Sequence, residues 1–174
     1  MRSSTVAPVT ARGARNLSHA RLIVILTPTA LLGGAIGFQY LGGLSPCEMC
    51  YWQRWPHLAA IFLALGAIAM GRHVGLSAML TALAALAIVT SGLIGGFHAG
   101  VEYHWWEGLT TCATSLSVGQ GQSALDAIMN APLVRCDTPA WTMFGISMAG
   151  YNFLISTVAG LSALWFVSRM RGAA

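Results

Sequence analysis

Charge is what this chain has least of: 8% of its 174 residues are Asp, Glu, Lys or Arg, and lysine is absent altogether. A soluble domain of this length carries about a quarter charged residues. With 56% hydrophobic residues and a mean hydropathy of +0.66, the bilayer is the better solvent. The net charge of +4 does not point to nucleic acid, because no basic helix and no aromatic-interleaved basic patch accompanies it. No internal repeat of solenoid length is present, which sets aside a repeat array.

What is there is a set of long uncharged stretches. A membrane span needs about 20 largely apolar residues, and four stretches qualify as candidates: about Leu22 to Gly42, a shorter one from about Pro56 to Met70, Val74 to Phe97, and Phe144 to Val167. An even number of spans puts both termini on one side. A cleaved signal peptide has an apolar region of about 7 to 15 residues. The first stretch is longer and reads as a retained anchor.

Arginine assigns the sides, since short cytoplasmic segments collect cations. Arg2, Arg12, Arg15 and Arg21 precede the first span, Arg72 lies between the second and third, and Arg169 and Arg171 follow the fourth. The opposite side keeps only Arg54 and Arg135, with all five acids, Glu48, Glu102, Glu107, Asp126 and Asp137. Both termini are therefore expected in the cytoplasm. The expected fold is an all-α membrane protein, a four-transmembrane-helix up-down bundle with a short first and a long second non-cytoplasmic loop.

Residues 1–20 are polar and lack apolar periodicity, so they read as a flexible cytoplasmic tail, and 21–174 as the four-helix transmembrane domain. The first outer loop is expected over Gly43 to Trp55 and the second over His98 to Met143. Within the second, Gly119 to Gln122 reads as a link. Ser123 to Asn130 reads either as a short amphipathic helix, with Leu125, Ile128 and Met129 on one face and Asp126 on another, or as irregular loop. Tyr51, Trp52, Trp55, Tyr103, Trp105, Trp106 and Trp141 collect at the outer ends of the spans as an interfacial belt, with a ring stack for a cofactor as the alternative. Gly33, Gly34 and Gly37, and Gly92, Gly95 and Gly96, are small residues that permit close helix approach or simply face lipid.

All four cysteines fall on the outer side, as a tight pair, Cys47-Glu-Met-Cys50, and a wide pair, Cys112 and Cys136. Thiols in an oxidising compartment form disulfides. Two structural disulfides, a zinc site of four thiolates and redox exchange all use such a set. Zinc is the weakest of these, since only one half has zinc-knuckle spacing, and no resident metal is expected. A C-x-x-C disulfide closes too small a ring to constrain the unfolded chain much, so this pair is worth more as a reactive centre than as a staple. Pro46 precedes it. Arg54 lies four residues beyond Cys50, one helical turn away if a helix has begun, where a guanidinium raises the thiolate fraction. An arginine at the membrane boundary needs an anion or acceptor, or else snorkels to the surface.

The run Cys47-Glu-Met-Cys50-Tyr-Trp-Gln-Arg54-Trp-Pro-His57 resembles the signature of the disulfide bond formation protein B (DsbB) family. Arg135-Cys136-Asp137-Thr-Pro139-Ala-Trp141-Thr-Met-Phe144-Gly145-Ile-Ser147-Met-Ala-Gly150-Tyr151-Asn152 is similar to the start of that family's fourth span. The resemblance covers all four spans and leaves out the first 20 residues.

This resemblance implies an enzyme of the bacterial inner membrane, with its cysteines on the periplasmic side, that reoxidises a soluble thioredoxin-fold dithiol oxidase (DsbA-like). The electrons would pass to the membrane quinone pool, ubiquinone or menaquinone. By similarity the partner's thiolate attacks Cys112, Cys136 exchanges with Cys47, and Cys50 is the thiolate facing the quinone. Arg54 matches the arginine that hydrogen-bonds a quinone oxygen, and His98 a quinone-proximal histidine, with a helix-capping histidine as the equal alternative. His57 and Glu102 are weaker candidates. Gln53 stands where some members have Glu, a difference expected to matter little. At rest Cys47 is expected to pair with Cys50, and Cys112 with Cys136. Oxidising a strong thiol oxidant is uphill for an ordinary disulfide, so the chemistry requires an electron sink. The alternatives are a small membrane protein with two structural disulfides, or a vitamin K epoxide reductase-like enzyme, whose C-x-x-C lies late in the chain rather than after the first span.

Overall fold

Thr10 opens the first helix, its hydroxyl accepting the Gly13 N–H at 3.2 Å and satisfying a donor that has no partner within the helix. The computed structural model describes residues 10–108 and 135–171. From Thr10 the helix α1 (Ala11–Tyr40) runs 30 residues. Half of the segment expected to be a tail is thus helical, because Leu17, Ala20 and Val24 are buried and give it an apolar face to pack. Residues 1–9, the expected helix over Ser123–Asn130 and Cys112 lie outside the described residues.

Among the described residues three more helices follow, α2 (Glu48–Ala69), α3 (Val74–Glu102) and α4 (Met148–Arg171). Each packs against the next, and α1 closes against α4. Their shared core is built from small side chains, Ala20, Ala60, Ala64, Ala84, Ala85 and Ala163, around Val24 and Ile88. At one end of the bundle Arg21 donates to the Ser77 hydroxyl through Nε at 3.0 Å and Nη2 at 2.6 Å, and that hydroxyl donates to the Ala67 carbonyl. Three helices are tied at one buried point.

Helices α1, α3 and α4 are long and apolar enough to cross a membrane. Helix α2 is the exception. It starts at Glu48, inside the segment expected to be loop, and its first turns carry Glu48, Gln53, Arg54 and His57. Its apolar run, Leu58 to Ala69, spans about 18 Å at 1.5 Å per residue, against about 30 Å of bilayer hydrocarbon.

Phe144 to Ser147, expected within the last span, is instead part of a hairpin. Strand β1 (Thr142–Met143) pairs antiparallel with β2 (Ile146–Ser147). Phe144 and Gly145 turn the chain with φ of 50° and 76°, the positive pair that a two-residue type I′ turn requires. Tyr103, at the end of α3, pins it: its hydroxyl donates to the Gly145 carbonyl at 3.0 Å and accepts the Ser147 N–H at 2.9 Å. The Ser147 hydroxyl in turn accepts the Gly150 N–H at 3.1 Å, starting α4.

The two glycine sets behave differently. A Cβ on Gly95 would stand 2.9 Å from the Ala149 carbonyl and one on Gly92 2.8 Å from the Thr157 hydroxyl, so α3 and α4 approach through them. Around Gly33, Gly34 and Gly37 no heavy atom would lie within 4 Å, and close approach is not their role.

Candidate functional site

The C-x-x-C motif straddles the start of a helix. Cys47 is the N-cap of α2 and its sulfur accepts the Cys50 N–H at 3.3 Å, which places Cys50 one turn in and its Sγ 2.9 Å from that of Cys47. Glu48 in the first turn suits the positive end of the helix. Both thiols lie before Pro56, outside the apolar run of α2. Within the pair, the hydrogen bond from the Cys47 thiol holds Cys50 below the ordinary thiol range, and the Arg54 guanidinium adds to the effect. The same hydrogen bond, with burial, pushes Cys47 well above it. When the pair is reduced, Cys50 is therefore the first of the two to give up its proton and Cys47 the one that keeps it. The arginine expected to activate the pair is the lesser cause, and the second sulfur the greater.

Cys50 faces a cavity of about 240 Å³. Arg54, Gln53, His98, Glu102, Phe38 and Trp141 also line it, together with apolar residues of α1. Arg54 does not snorkel. It reaches back to α1, donating through Nη1 to Gln39 Oε1 at 2.5 Å and through Nη2 to the Ala35 carbonyl at 3.3 Å, and lies 5.3 Å from the Tyr51 ring centroid. Phe38, Trp141 and Tyr151 stand in series along the wall, with centroids 5.2 and 6.2 Å apart. Of the expected aromatic belt, Tyr51, Trp52, Trp55, Trp105 and Trp106 are exposed, whereas Trp141 turns to the cavity.

His98, the expected quinone-proximal histidine, is buried, at 2% exposure. It caps nothing. Gln53 donates from Nε2 to His98 Nδ1 at 2.8 Å and to the Met49 carbonyl at 3.1 Å. Nδ1 is then an acceptor and Nε2 carries the ring proton, directed at Cys47 Sγ, 3.6 Å away, with Glu102 Oε1 nearby at 3.7 Å. Gln53, whose difference from Glu was expected to matter little, is therefore a central residue, and the network continues through it. Asn152 of α4 donates to Gln53 Oε1 at 2.8 Å and accepts from His57 at 3.0 Å and from Ser156 at 2.7 Å. His57 belongs to this network and also lines the cavity.

Cys136 arrives from the far side of the sequence and is buried with Cys47, Met49 and Val101. Ligand atoms of Cys47, His98 and Cys136 all lie within 4.8 Å of one another. Beside Cys136, Arg135 grips Asp137 through both carboxylate oxygens, and that hydrogen bond holds the Asp137 carboxyl below its usual range. The fold thus gathers Cys47, Cys50, Arg54, His98 and Cys136 at one end of the bundle. Gln39, Gln53 and Asn152 were not expected there. Their only signal in the sequence is that they are amide side chains within otherwise apolar helices, which need buried partners.

Among the described residues the cavity has one cationic donor, apolar and aromatic walls and an adjacent dithiol, which suits a flat apolar ring bearing hydrogen-bond acceptors. A family model described as disulfide bond formation protein DsbB matches residues 17–166. A disulfide bond formation protein B of Methylococcus capsulatus is 31% identical over 75% of this chain and 81% of its own length. One from Aromatoleum aromaticum is 29% identical over 82% and 87%. An uncharacterized protein of Rickettsia prowazekii is 26% identical over 78% of both chains. No solved structure matches the chain.

Proposed function

From the premise that this chain belongs to the DsbB family of membrane proteins of disulfide bond formation, we propose that it is a protein-dithiol:quinone oxidoreductase. It reoxidises a periplasmic DsbA-like thiol oxidase and works in the bacterial inner membrane, with both termini cytoplasmic and the four cysteines periplasmic. The observation that carries this reading is that Cys50 and Arg54 line one cavity, while Cys47 Sγ lies 2.9 Å from Cys50 Sγ and within 4.8 Å of Cys136 Sγ.

In this reading the partner's thiolate attacks Cys112 and breaks the Cys112–Cys136 bond, leaving Cys136 as a thiolate. Cys136 attacks Cys47 and breaks the Cys47–Cys50 bond, which leaves Cys50 as a thiolate on the cavity. The partner's second thiol displaces Cys112 and the partner departs oxidised. Cys112 then reforms its bond to Cys136, releasing Cys47, and Cys47 and Cys50 close again as their two electrons leave. A quinone, ubiquinone or menaquinone, supplies the sink by taking two electrons and two protons to become the quinol. The net exchange is partner dithiol plus quinone to partner disulfide plus quinol. Arg54 would hold an oxygen of the ring and Phe38 and Trp141 would line the walls beside it, while His98 holds a proton at Nε2 beside Cys47.

The test is quinone reduction by the purified chain with a reduced thioredoxin-fold oxidase as donor. Turnover by wild type, none by Cys50→Ala, and a quinone requirement raised at least tenfold in Arg54→Ala are expected. If wild type passes no electrons to ubiquinone or menaquinone, the reading falls and two structural disulfides replace it.

A further inference from the structure

Thiol exchange needs Cys136 near Cys47, but it does not need an imidazole nitrogen in the same cluster. Cys47, His98 and Cys136 are 6%, 2% and 9% exposed, and one ligand atom from each lies within 4.8 Å of the others. Tetrahedral zinc takes sulfur at about 2.3 Å and nitrogen at about 2.0 Å, which sets its ligand atoms roughly 3.5 Å apart. Atoms already within 4.8 Å of one another need close in by no more than about 1.3 Å to reach that spacing. Two more donors stand near single members of it, Cys50 Sγ at 2.9 Å from Cys47 Sγ and Glu102 Oε1 at 3.7 Å from His98 Nε2, and three protein ligands leave the fourth position to water.

We infer that, with its cysteines reduced, the chain binds one thiophilic divalent cation, Zn²⁺ foremost, through Cys47 Sγ, His98 Nε2 and Cys136 Sγ. Binding displaces the two thiol protons to solvent and leaves sulfur at its reduced oxidation level. Because the ion occupies both sulfurs that must meet in exchange, it holds the chain reduced. Mixed sulfur and nitrogen donors favour zinc over hard cations. Coordination also takes the Nε2 lone pair and moves the ring proton to Nδ1, where Gln53 now presents an N–H. Gln53 must turn its amide to accept that proton, whereas a carboxylate at this position accepts it without turning and raises the basicity of the ligand.

The experiment uses Co²⁺ as the spectroscopic probe, titrated into the full chain in detergent micelles after reduction and removal of the reductant. Reduced wild type and Cys112→Ser are expected to give tetrahedral d–d bands and thiolate-to-cobalt charge transfer, saturating at one ion per chain. The air-oxidised chain is expected to give neither. Cys47→Ser, Cys136→Ser and His98→Ala should each weaken binding at least tenfold, and Gln53→Glu should tighten it by about tenfold. X-ray absorption of the Zn²⁺ form of wild type, which needs no variant to fold, should show at least two sulfurs and at least one nitrogen. Absent charge-transfer bands, an all-sulfur shell, or loss of binding in Cys112→Ser with retention in His98→Ala would overturn the site. The site needs reduced thiols but no quinone, so its failure leaves the proposed electron transfer standing, and the converse holds.

Discussion

Gln53 Nε2 donates to His98 Nδ1 across 2.8 Å between α2 and α3, and this one contact fixes both the ring's orientation and its tautomer. The same amide bonds the Met49 carbonyl and accepts from Asn152, so a single side chain joins three helices. Replacing it with Leu leaves His98 Nδ1 and Asn152 Nδ2 short of a partner in a buried setting. Each such loss costs about 1–3 kcal/mol, and Gln53→Leu is expected to lower stability by about 2–4 kcal/mol. Unfolding of the reduced protein in mixed micelles, followed by circular dichroism, measures this. A midpoint equal to wild type would show that the network has no role in holding the helices together.

The glycines of α1 and α3 are indistinguishable by composition but not by surroundings. Gly95→Ala drives a methyl group to within 2.9 Å of the Ala149 carbonyl and the Asn152 amide, and overpacking of this kind costs about 1–3 kcal/mol. Gly33→Ala meets nothing within 4 Å, so it should be neutral or more stable by up to about 1 kcal/mol through helix propensity alone. Equal effects of the two substitutions would contradict the close crossing of α3 and α4.

Those two variants also mark how far the sequence could be read. Hydropathy located α1, α3 and α4 because long apolar stretches have few other uses, and the cysteine spacing with Arg54 pointed to the end of the bundle where Cys47, Cys50, Arg54 and Cys136 gather. The start of α2 was hidden because Glu48, Gln53 and Arg54 read as loop until the partners of Gln53 on α3 and α4 and of Arg54 on α1 are known. Hairpin strands of two residues are too short to show a period, and Phe-Gly is an unusual filling for a turn that favours Asn-Gly. The importance of Gln53 could not be seen in one dimension. Its partners lie 45 and 99 positions away in sequence, and only packing brings them together.

Tyr103 tests whether the hairpin is held or merely adjacent. Its hydroxyl makes two hydrogen bonds to the hairpin backbone, while the ring stacks near Trp105 at 5.5 Å and would remain in Phe. Tyr103→Phe is therefore expected to cost about 1–2 kcal/mol and, more locally, to expose the bonds around Phe144 and Gly145 to protease. Limited chymotrypsin digestion of the folded protein in micelles, read by mass spectrometry, should cut at Phe144 several times faster in the variant. An unchanged cutting rate would mean that the β1–β2 pairing and the Tyr151 bond to the Met143 carbonyl hold the hairpin by themselves.

Arg54 reaches the cavity wall only because α1 offers it acceptors, and Gln39 is the side chain among them. Gln39→Leu leaves the guanidinium in place chemically but held by the Ala35 carbonyl and Tyr51 alone. Positioning loss of this kind should raise the KM for quinone by about 3- to 10-fold, with kcat changed less than twofold, since the dithiol is untouched. Arg54→Lys keeps the charge but cannot bond Gln39, Ala35 and a ligand oxygen at once from a planar fork. It should raise KM more, by roughly 10- to 100-fold. Steady-state kinetics with quinone as the varied substrate separates the two effects. The arrangement predicts an ordered series, wild type, Gln39→Leu, Arg54→Lys, in KM alone. A fall in kcat for Gln39→Leu at saturating quinone would instead mean that Gln39 acts on the thiol pair through Arg54, whose charge also lowers Cys50.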